Sequence, residues 1–385
     1  MGDPCILIID DQPEIGQFIG SVAATCGYLS DYVDNVQSFC QQLETLAPSH
    51  IVLDLQMPDC DGIEVLRLLA ELKCKAKIII ISGFDPKTLE SAGLIGRERG
   101  LDIIATLVKP VRAHDLRDLL VKSRPSTNLF TRDMVEAALD RNELVLFYQP
   151  IIALREFGIV PAGFEALLRW QHPEQGLLGP DKILPIAEQE RLIDRVTAQV
   201  FDLALKQVVA WEKVGLVGPV AVNVSASNLK ASSFADQLDS QCKAAGVPPN
   251  RLVIELTETA AMQDSVLAAE ILTRLRLKGF WLSIDDFGTG YSSMVQLQRL
   301  PFSSLKIDRA FIGECGTSKQ ARIIAKATID LAHNLGLKAV AEGVENAEVL
   351  DLLREMGCDM AQGYHISRPK PPDEAEAWWR KANAA

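Results

Sequence analysis

Along the first third of the chain, short apolar runs alternate with segments of helical length. The runs are Ile6–Ile9, Ser30–Val33, Ile51–Leu53, Ile78–Ile81 and Ile103–Val108. Five such strands with helices between them predict an open, doubly wound, flavodoxin-like parallel α/β sheet from Cys5 to about Lys122. The periodicity then stops, and Ser123-Arg124-Pro125-Ser126-Thr127-Asn128 has turn and linker chemistry. Beyond a helix near Thr131–Asp140, eight further apolar runs follow, at 144–152, 163–170, 220–224, 252–256, 281–284, 304–307, 339–341 and 360–364. Eight strands separated by helices over about 250 residues predict a (β/α)8 barrel, whose functional rim lies at the C-terminal strand ends. The expected domain limits are 1–122, a linker at 123–130, and 131–385.

Composition agrees with two folded domains and narrows the setting. The 385 residues exceed one typical domain, and 48% hydrophobic with 23% charged residues is ordinary for a globular protein. No apolar run approaches the roughly 20 residues that cross a bilayer, so no membrane insertion is expected. The N-terminus leads almost directly into an apolar strand and two aspartates, unlike a signal peptide or a myristoylation pattern, which predicts a cytoplasmic protein. Eight cysteines without any C-x-x-C pair read as reduced thiols. A net charge of −12 argues against a broad nucleic-acid surface. It leaves room for a small anionic ligand held through metal ions.

Five polar residues sit at the predicted strand ends of the first domain: Asp10 and Asp11 at the first, Asp54 at the third, Ser82 at the fourth and Lys109 at the fifth. In a doubly wound sheet these ends converge on the ligand crevice. Close carboxylates repel by roughly 4 kcal/mol per pair at an effective dielectric of about 20, and a divalent cation resolves this. Few protein ligands, all oxygen, suit Mg2+. A carboxylate can then accept a phosphoryl group while metal and lysine neutralise its oxygens. Ile9-Asp10-Asp11, Leu53-Asp54-Leu55-Gln56-Met57-Pro58, Ser82 and Lys109-Pro110 together resemble the response-regulator receiver family over residues 5–122. The resemblance implies that Asp54 is the phosphoacceptor, that Asp10 and Asp11 hold Mg2+, that Ser82 is a hydroxyl switch, and that a sensor histidine kinase is the phosphodonor. The position often aromatic in that family is Thr106 here.

In the second domain polar residues interrupt the apolar strands near their ends: Glu165, Asn223, Glu255, Asp285, Asp286, Lys306, Asp308, Glu342, Glu345 and Gln362. Five or more carboxylates on one rim of an acidic protein call for cations, and Asn223 adds a neutral oxygen that hard metals accept. Adjacent aspartates allow one carboxylate to bridge two ions, the arrangement that activates water against a phosphodiester. Glu165-Ala166-Leu167 followed by Leu168-Arg169 resembles the signature of the EAL-domain cyclic di-GMP phosphodiesterases. Tyr148-Gln149-Pro150, Asp285 to Ser293, Lys306-Ile307-Asp308, Glu342-Gly343-Val344-Glu345 and Gln362-Gly363-Tyr364 extend the likeness over nearly the whole domain.

What the resemblance implies is hydrolysis of cyclic di-GMP to linear pGpG with two Mg2+ or Mn2+ ions. One ion would lie among Glu165, Asn223, Glu255 and Asp285, the other among Asp285, Asp286 and Glu342. Lys306 would contact the attacking water as base or orienter, with Asp308 and Glu345 supporting the site. Gln149, Leu167, Arg169 and Gln362 would touch substrate. The loop from Phe287 to Ser293, anchored by Glu258, would form metal ligands and touch a partner in a homodimer or higher homo-oligomer. Two other readings use the same residues: a sensor that binds cyclic di-GMP without cutting it, and a receiver-controlled interaction scaffold.

Overall fold

A computed structural model describes residues 4–58, 61–123, 130–154, 159–261, 266–288 and 294–384. The chain divides into two compact units, Met1–Leu129 and Phe130–Ala385.

The first unit has five strands: β1 (Cys5–Ile9), β2 (Leu29–Val33), β3 (His50–Asp54), β4 (Lys77–Ser82) and β5 (Asp102–Val108). They pair in parallel in the order β2-β1-β3-β4-β5. An all-parallel sheet is covered on both faces, which is why its strands are apolar throughout rather than alternating. Leu7, Ile9, Leu53 and Ile80 enter the core on one face, and Ile6, Ile8, Val52 and Ile79 that on the other. Strand order reverses between β1 and β3, so their C-terminal ends bracket a crevice. Asp54 ends β3, Ser82 ends β4, and Asp10 directly follows β1.

The second unit contains β6 (Leu144–Leu154), β7 (Ile159–His172), β8 (Gly176–Leu178), β9 (Val220–Asn223), β10 (Leu252–Thr257), β11 (Trp281–Phe287), β12 (Ser304–Ile307), β13 (Lys338–Ala341) and β14 (Met360–Ala361). The order is β6-β14-β13-β12-β11-β10-β9-β7-β8, and a β6–β7 pairing closes eight of them into a barrel. The predicted runs all fall within or overlap these strands. One feature departs from a uniform (β/α)8 barrel: β6 is antiparallel to both β7 and β14. The reason is connection length. Four residues separate β6 from β7, whereas a parallel crossover takes a dozen or more.

Phe130 packs against Trp170 at 5.0 Å between ring centroids, so the chain enters the barrel's core from that residue. Most of the expected linker, 124–129, lies outside the described residues. The C-terminal helix Pro372–Ala384 lays Trp379 on Phe164, centroids 5.2 Å apart. Among the described residues no helix is long and apolar enough to cross a membrane, and the seven described cysteines are free thiols.

Candidate active site

Strand periodicity builds the barrel rim. Residues two apart on a strand face the same side; Asn223, Glu255, Asp285 and Lys306 fall on the inward set near the C-terminal strand ends, and Glu165, midway along β7, joins them in register with Ala221 of β9. Glu342 and Gln362 follow β13 and β14 directly, and antiparallel β6 brings Gln149 into register with Glu165. Lys306, 1% exposed, is the centre of the cluster. Its Nζ lies 2.6 Å from Glu342 Oε1, 3.0 Å from Glu255 Oε2, 3.3 Å from Asp285 Oδ2 and 3.6 Å from Glu165 Oε2. Asn223 Nδ2 donates to Glu165 Oε1 at 2.8 Å. Gln362 Nε2 donates both to Glu165 Oε2 at 2.7 Å and to Gln149 Oε1 at 3.0 Å.

One ammonium cannot neutralise four carboxylates. Burial alone would lower Lys306, but the surrounding carboxylates outweigh it and hold the ammonium well above its ordinary value. Burial also raises Glu165, yet Lys306 and the amides of Gln362 and Asn223 bring that carboxyl below its usual range. Glu255 and Glu342 go the other way. Burial pushes both up against the pull of Lys306, with help from neighbouring carboxylates, and Glu342 reaches about 7. Asp286 rises to about 6 through burial and the charges of Asp285 and Asp308. It is also held at φ 55°, in the left-handed region that costs a non-glycine residue energy.

The donor set fits divalent cations. Glu165, Glu255 and Asp285 can bring one oxygen each within 4.8 Å of one another, as can Asp285, Asp286 and Glu342. Asp285 belongs to both triads, and the residual negative charge around Lys306 is what hard cations would satisfy. A pH prediction follows. Glu342 takes up protons on folding between its unfolded value near 4.5 and about 7, so the metal-free protein loses stability as pH rises through that window. Mg2+ or Mn2+ should therefore raise the melting temperature more at pH 8 than at pH 5. An equal increment at both values would contradict this account of the cluster.

Gln149, Glu165, Asp285, Glu342, Glu345 and Gln362 line one cleft of about 200 Å3. Arg309 and Tyr364 line it as well; Tyr364 belongs to the Gln362-Gly363-Tyr364 motif but has no role assigned from sequence, and Arg309 lies outside the motifs. The signal was adjacency: Arg309 follows Lys306-Ile307-Asp308 and Tyr364 follows Gln362-Gly363. Asp308 accepts from Ala310 N at 2.7 Å, capping the helix Arg309–Glu314. Gln149 and Gln362 are mostly buried; Gln362 orients the Glu165 carboxylate directly, and Gln149, which donates to the Ser367 carbonyl at 3.0 Å, holds Gln362. Leu167 and Arg169 continue the Glu165 face along β7. The Arg169 guanidinium donates to the Leu168 carbonyl at 2.7 Å and sits 5.7 Å over the Phe147 ring. Glu258 Oε2 accepts from Gly288 N at 2.8 Å; the rest of that loop, 289–293, lies outside the described residues.

In the first unit, Lys109 Nζ lies 2.7 Å from Asp54 Oδ2 and 2.8 Å from Asp10 Oδ2. Asp10, Asp11 and Asp54 can converge within 4.8 Å, and Asp11 Oδ1 is buried without a hydrogen-bond partner. That orphaned oxygen fits a cation. Burial raises Asp10 despite its bonds to Lys109 and Gln12. Lys109 is itself held above its ordinary value, the two carboxylates overcoming its burial. Ser82, fully buried, accepts from Phe84 N at 3.1 Å. Thr106 lies on β5, where its methyl group faces Gly93 too closely for a Cβ there.

Comparison with known proteins finds a family for each unit. The EAL domain model matches residues 132–369 and the response regulator receiver domain model residues 6–121. Cyclic di-GMP phosphodiesterase RocR of Pseudomonas aeruginosa is 32% identical over 96% of this chain and 97% of its own. Cyclic di-GMP phosphodiesterase NbdA of the same organism is 42% identical over 69% of this chain, which spans only 33% of that relative's length. A solved structure of the PaMucR phosphodiesterase in complex with c-di-GMP superposes with a TM-score of 0.59 and 39% identity, covering 63% of this chain and 97% of that one.

Proposed function

We propose that this chain, which belongs to the EAL-domain family and carries a response regulator receiver domain ahead of the EAL domain, hydrolyses cyclic di-GMP to linear pGpG under control of receiver phosphorylation. The observation that carries the reading is the pair of carboxylate triads sharing Asp285 beside buried Lys306. The relatives RocR and NbdA are cyclic di-GMP phosphodiesterases.

Glu165, Asn223, Glu255 and Asp285 would hold one Mg2+ or Mn2+, and Asp285, Asp286 and Glu342 the other. When bound, such a pair supplies an activated water and neutralises charge on the phosphodiester oxygens. Water adds at phosphorus, one P–O ester bond breaks, and the leaving ribose oxygen takes a proton. Lys306, held as an ammonium, serves as an orienting donor to the attacking water or a phosphate oxygen, rather than as its base. Gln362, itself held by Gln149, keeps Glu165 in place, and the outer edges of both amides with Leu167 and the Arg169 guanidinium meet the substrate. Asp308 and Glu345 order water around the site.

Purified full-length protein with cyclic di-GMP and Mg2+ or Mn2+ should yield linear pGpG by chromatography, and E165A should yield none. Tight binding without product in any phosphorylation state would favour the sensor reading instead.

In the receiver, Asp54 would take the phosphoryl group of a sensor histidine kinase as an acyl phosphate. Lys109 would neutralise its oxygens, and a Mg2+ ion held by Asp10, Asp11 and Asp54 would share that charge. Ser82 would turn toward the new phosphoryl oxygens, the response then passing through domain or dimer rearrangement. A small phosphodonor should change the hydrolysis rate of wild type and leave D54A unchanged; no change in either would remove the regulatory half of the proposal. Domain limits at 1–122 and 131–385, a cytoplasmic location and a homodimer or higher homo-oligomer complete the reading.

A further inference from the structure

Beneath the carboxylate rim the barrel is underfilled. The next inward-facing layer down is half small residues: Gly163, Ala221, Ser283 and Ser304. Eight-stranded barrels usually fill such layers with bulky branched side chains. Here a cavity of about 1150 Å3 runs from Glu255 to the N-terminal mouth of the barrel. Its walls include Ile151, Val253, Val340 and Met360. Ser283 and Ser304 spend their hydroxyls on each other, 2.9 Å apart, which leaves the shaft largely apolar.

The mouth is chemically different. Arg251 just before β10, Lys338 at the start of β13 and Arg354 in the helix Ala347–Glu355 ring it, together with Trp281. Trp281 is 40% exposed, with Arg276 Cζ 4.9 Å over its ring. The acidic residue there, Asp359, is already committed: one oxygen accepts from Ala339 N and meets His333 Nε2, both at 2.8 Å. Arg251 Nη1 lies 3.7 Å from Glu212, and Arg354 Nη1 lies 2.6 Å from Asp351. Arg251 Nη2 also donates to the Gly218 carbonyl at 3.2 Å, which leaves Lys338 as the exposed cation of the mouth.

We propose that this shaft is a second ligand site, for an amphipathic anion of the medium-chain carboxylate class. The apolar body lies in the shaft and the carboxylate at the mouth. That polarity follows from charge: Arg251, Lys338 and Arg354 stand at the open end against one lining carboxylate, Asp359, and the closed end carries the carboxyl of Glu255. Mostly apolar concavities with a few placed polar groups, of several hundred cubic ångströms, are the usual form of small-molecule sites. The proposal is independent of the reaction at the opposite rim.

Decanoate and decylammonium, which share one apolar body and differ in charge, should be titrated calorimetrically into the full chain. One decanoate should bind per chain, at least tenfold tighter than decylammonium. A221L and S283L, which fill the shaft, should weaken decanoate at least tenfold while keeping the wild-type circular dichroism spectrum. K338E changes only an exposed mouth residue and should also weaken it, so the site remains testable if a filled variant does not fold. Absence of saturable decanoate binding, equal binding of decylammonium, unsaturable adsorption only, or undiminished affinity in K338E would overturn the proposal.

Discussion

Replacing Asp285 by asparagine should abolish turnover while making the metal-free protein more stable. Asp285 is the one side chain shared by both carboxylate triads, so the substitution weakens both cation positions at once. Neutralising it keeps the shape and removes one of four negative charges packed around Lys306. If paired metals supply several kcal/mol of transition-state stabilisation, losing about 4 kcal/mol corresponds to roughly a thousandfold fall in kcat. The melting temperature without metal should rise, because less like charge is confined. Mn2+ titration should show fewer or weaker sites than wild type. Turnover of D285N within tenfold of wild type would sink the shared-ligand account.

The second large effect belongs to K306M. Methionine matches the aliphatic stem and deletes the charge, leaving four carboxylates without their common cation. Removing one partner of a buried ion pair costs about 3–5 kcal/mol, and the cost here should depend on pH in a known direction. Glu342 and Glu255 have folded values above their unfolded ones, so they are neutral at low pH and repel only as pH rises through their folded values. Destabilisation of metal-free K306M should accordingly be smaller at pH 5 than at pH 8. Millimolar Mn2+ should restore most of the stability, since divalent charge replaces the ammonium. It should not restore turnover, because the positioned donor is gone; a loss of about 100-fold or more is expected. Metal-loaded K306M with wild-type kcat would show that Lys306 is a structural counter-ion only.

Both experiments separate charge balance from catalysis, and the need to do so comes from the geometry. A lysine 1% exposed among four carboxylates balances the acidic rim and, under the proposed reaction, would also meet the water or phosphate. The amides of Gln149 and Gln362 are similar in kind. They look like substrate contacts from their place in the sequence, yet Gln362 donates to Glu165 and to Gln149, and Gln149 donates to the Ser367 carbonyl.

Much of this was legible in the order of residues. Apolar runs of strand length marked the sheet and the barrel because a strand covered on both faces has no polar alternation to hide it. Carboxylates at strand ends marked the rim because the barrel's architecture brings every strand's C-terminal end to one side. The carboxylates that converge, Glu165, Glu255 and Asp285 and again Asp285, Asp286 and Glu342, belong to the two ligand sets that the family resemblance implied, the first of which also counted Asn223.

Other features depend on sums across the fold. The antiparallel first strand could have been inferred from a four-residue connection, but only once both strand boundaries were known. Arg309 and Tyr364 reach the cleft because the turns after β12 and β14 bend toward the same opening. Periodicity says which way a strand residue faces; it is silent about residues in the turns that follow. The shaft under Glu255 is the strongest case. Gly163, Ala221, Ser283 and Ser304 are unremarked singly and lie on four different strands, so their shared smallness becomes a cavity only when the barrel closes. Local pattern is set by neighbours a few bonds away and survives in the one-dimensional string. Volume left unfilled is set by residues more than 100 positions apart, and only tertiary structure adds them together.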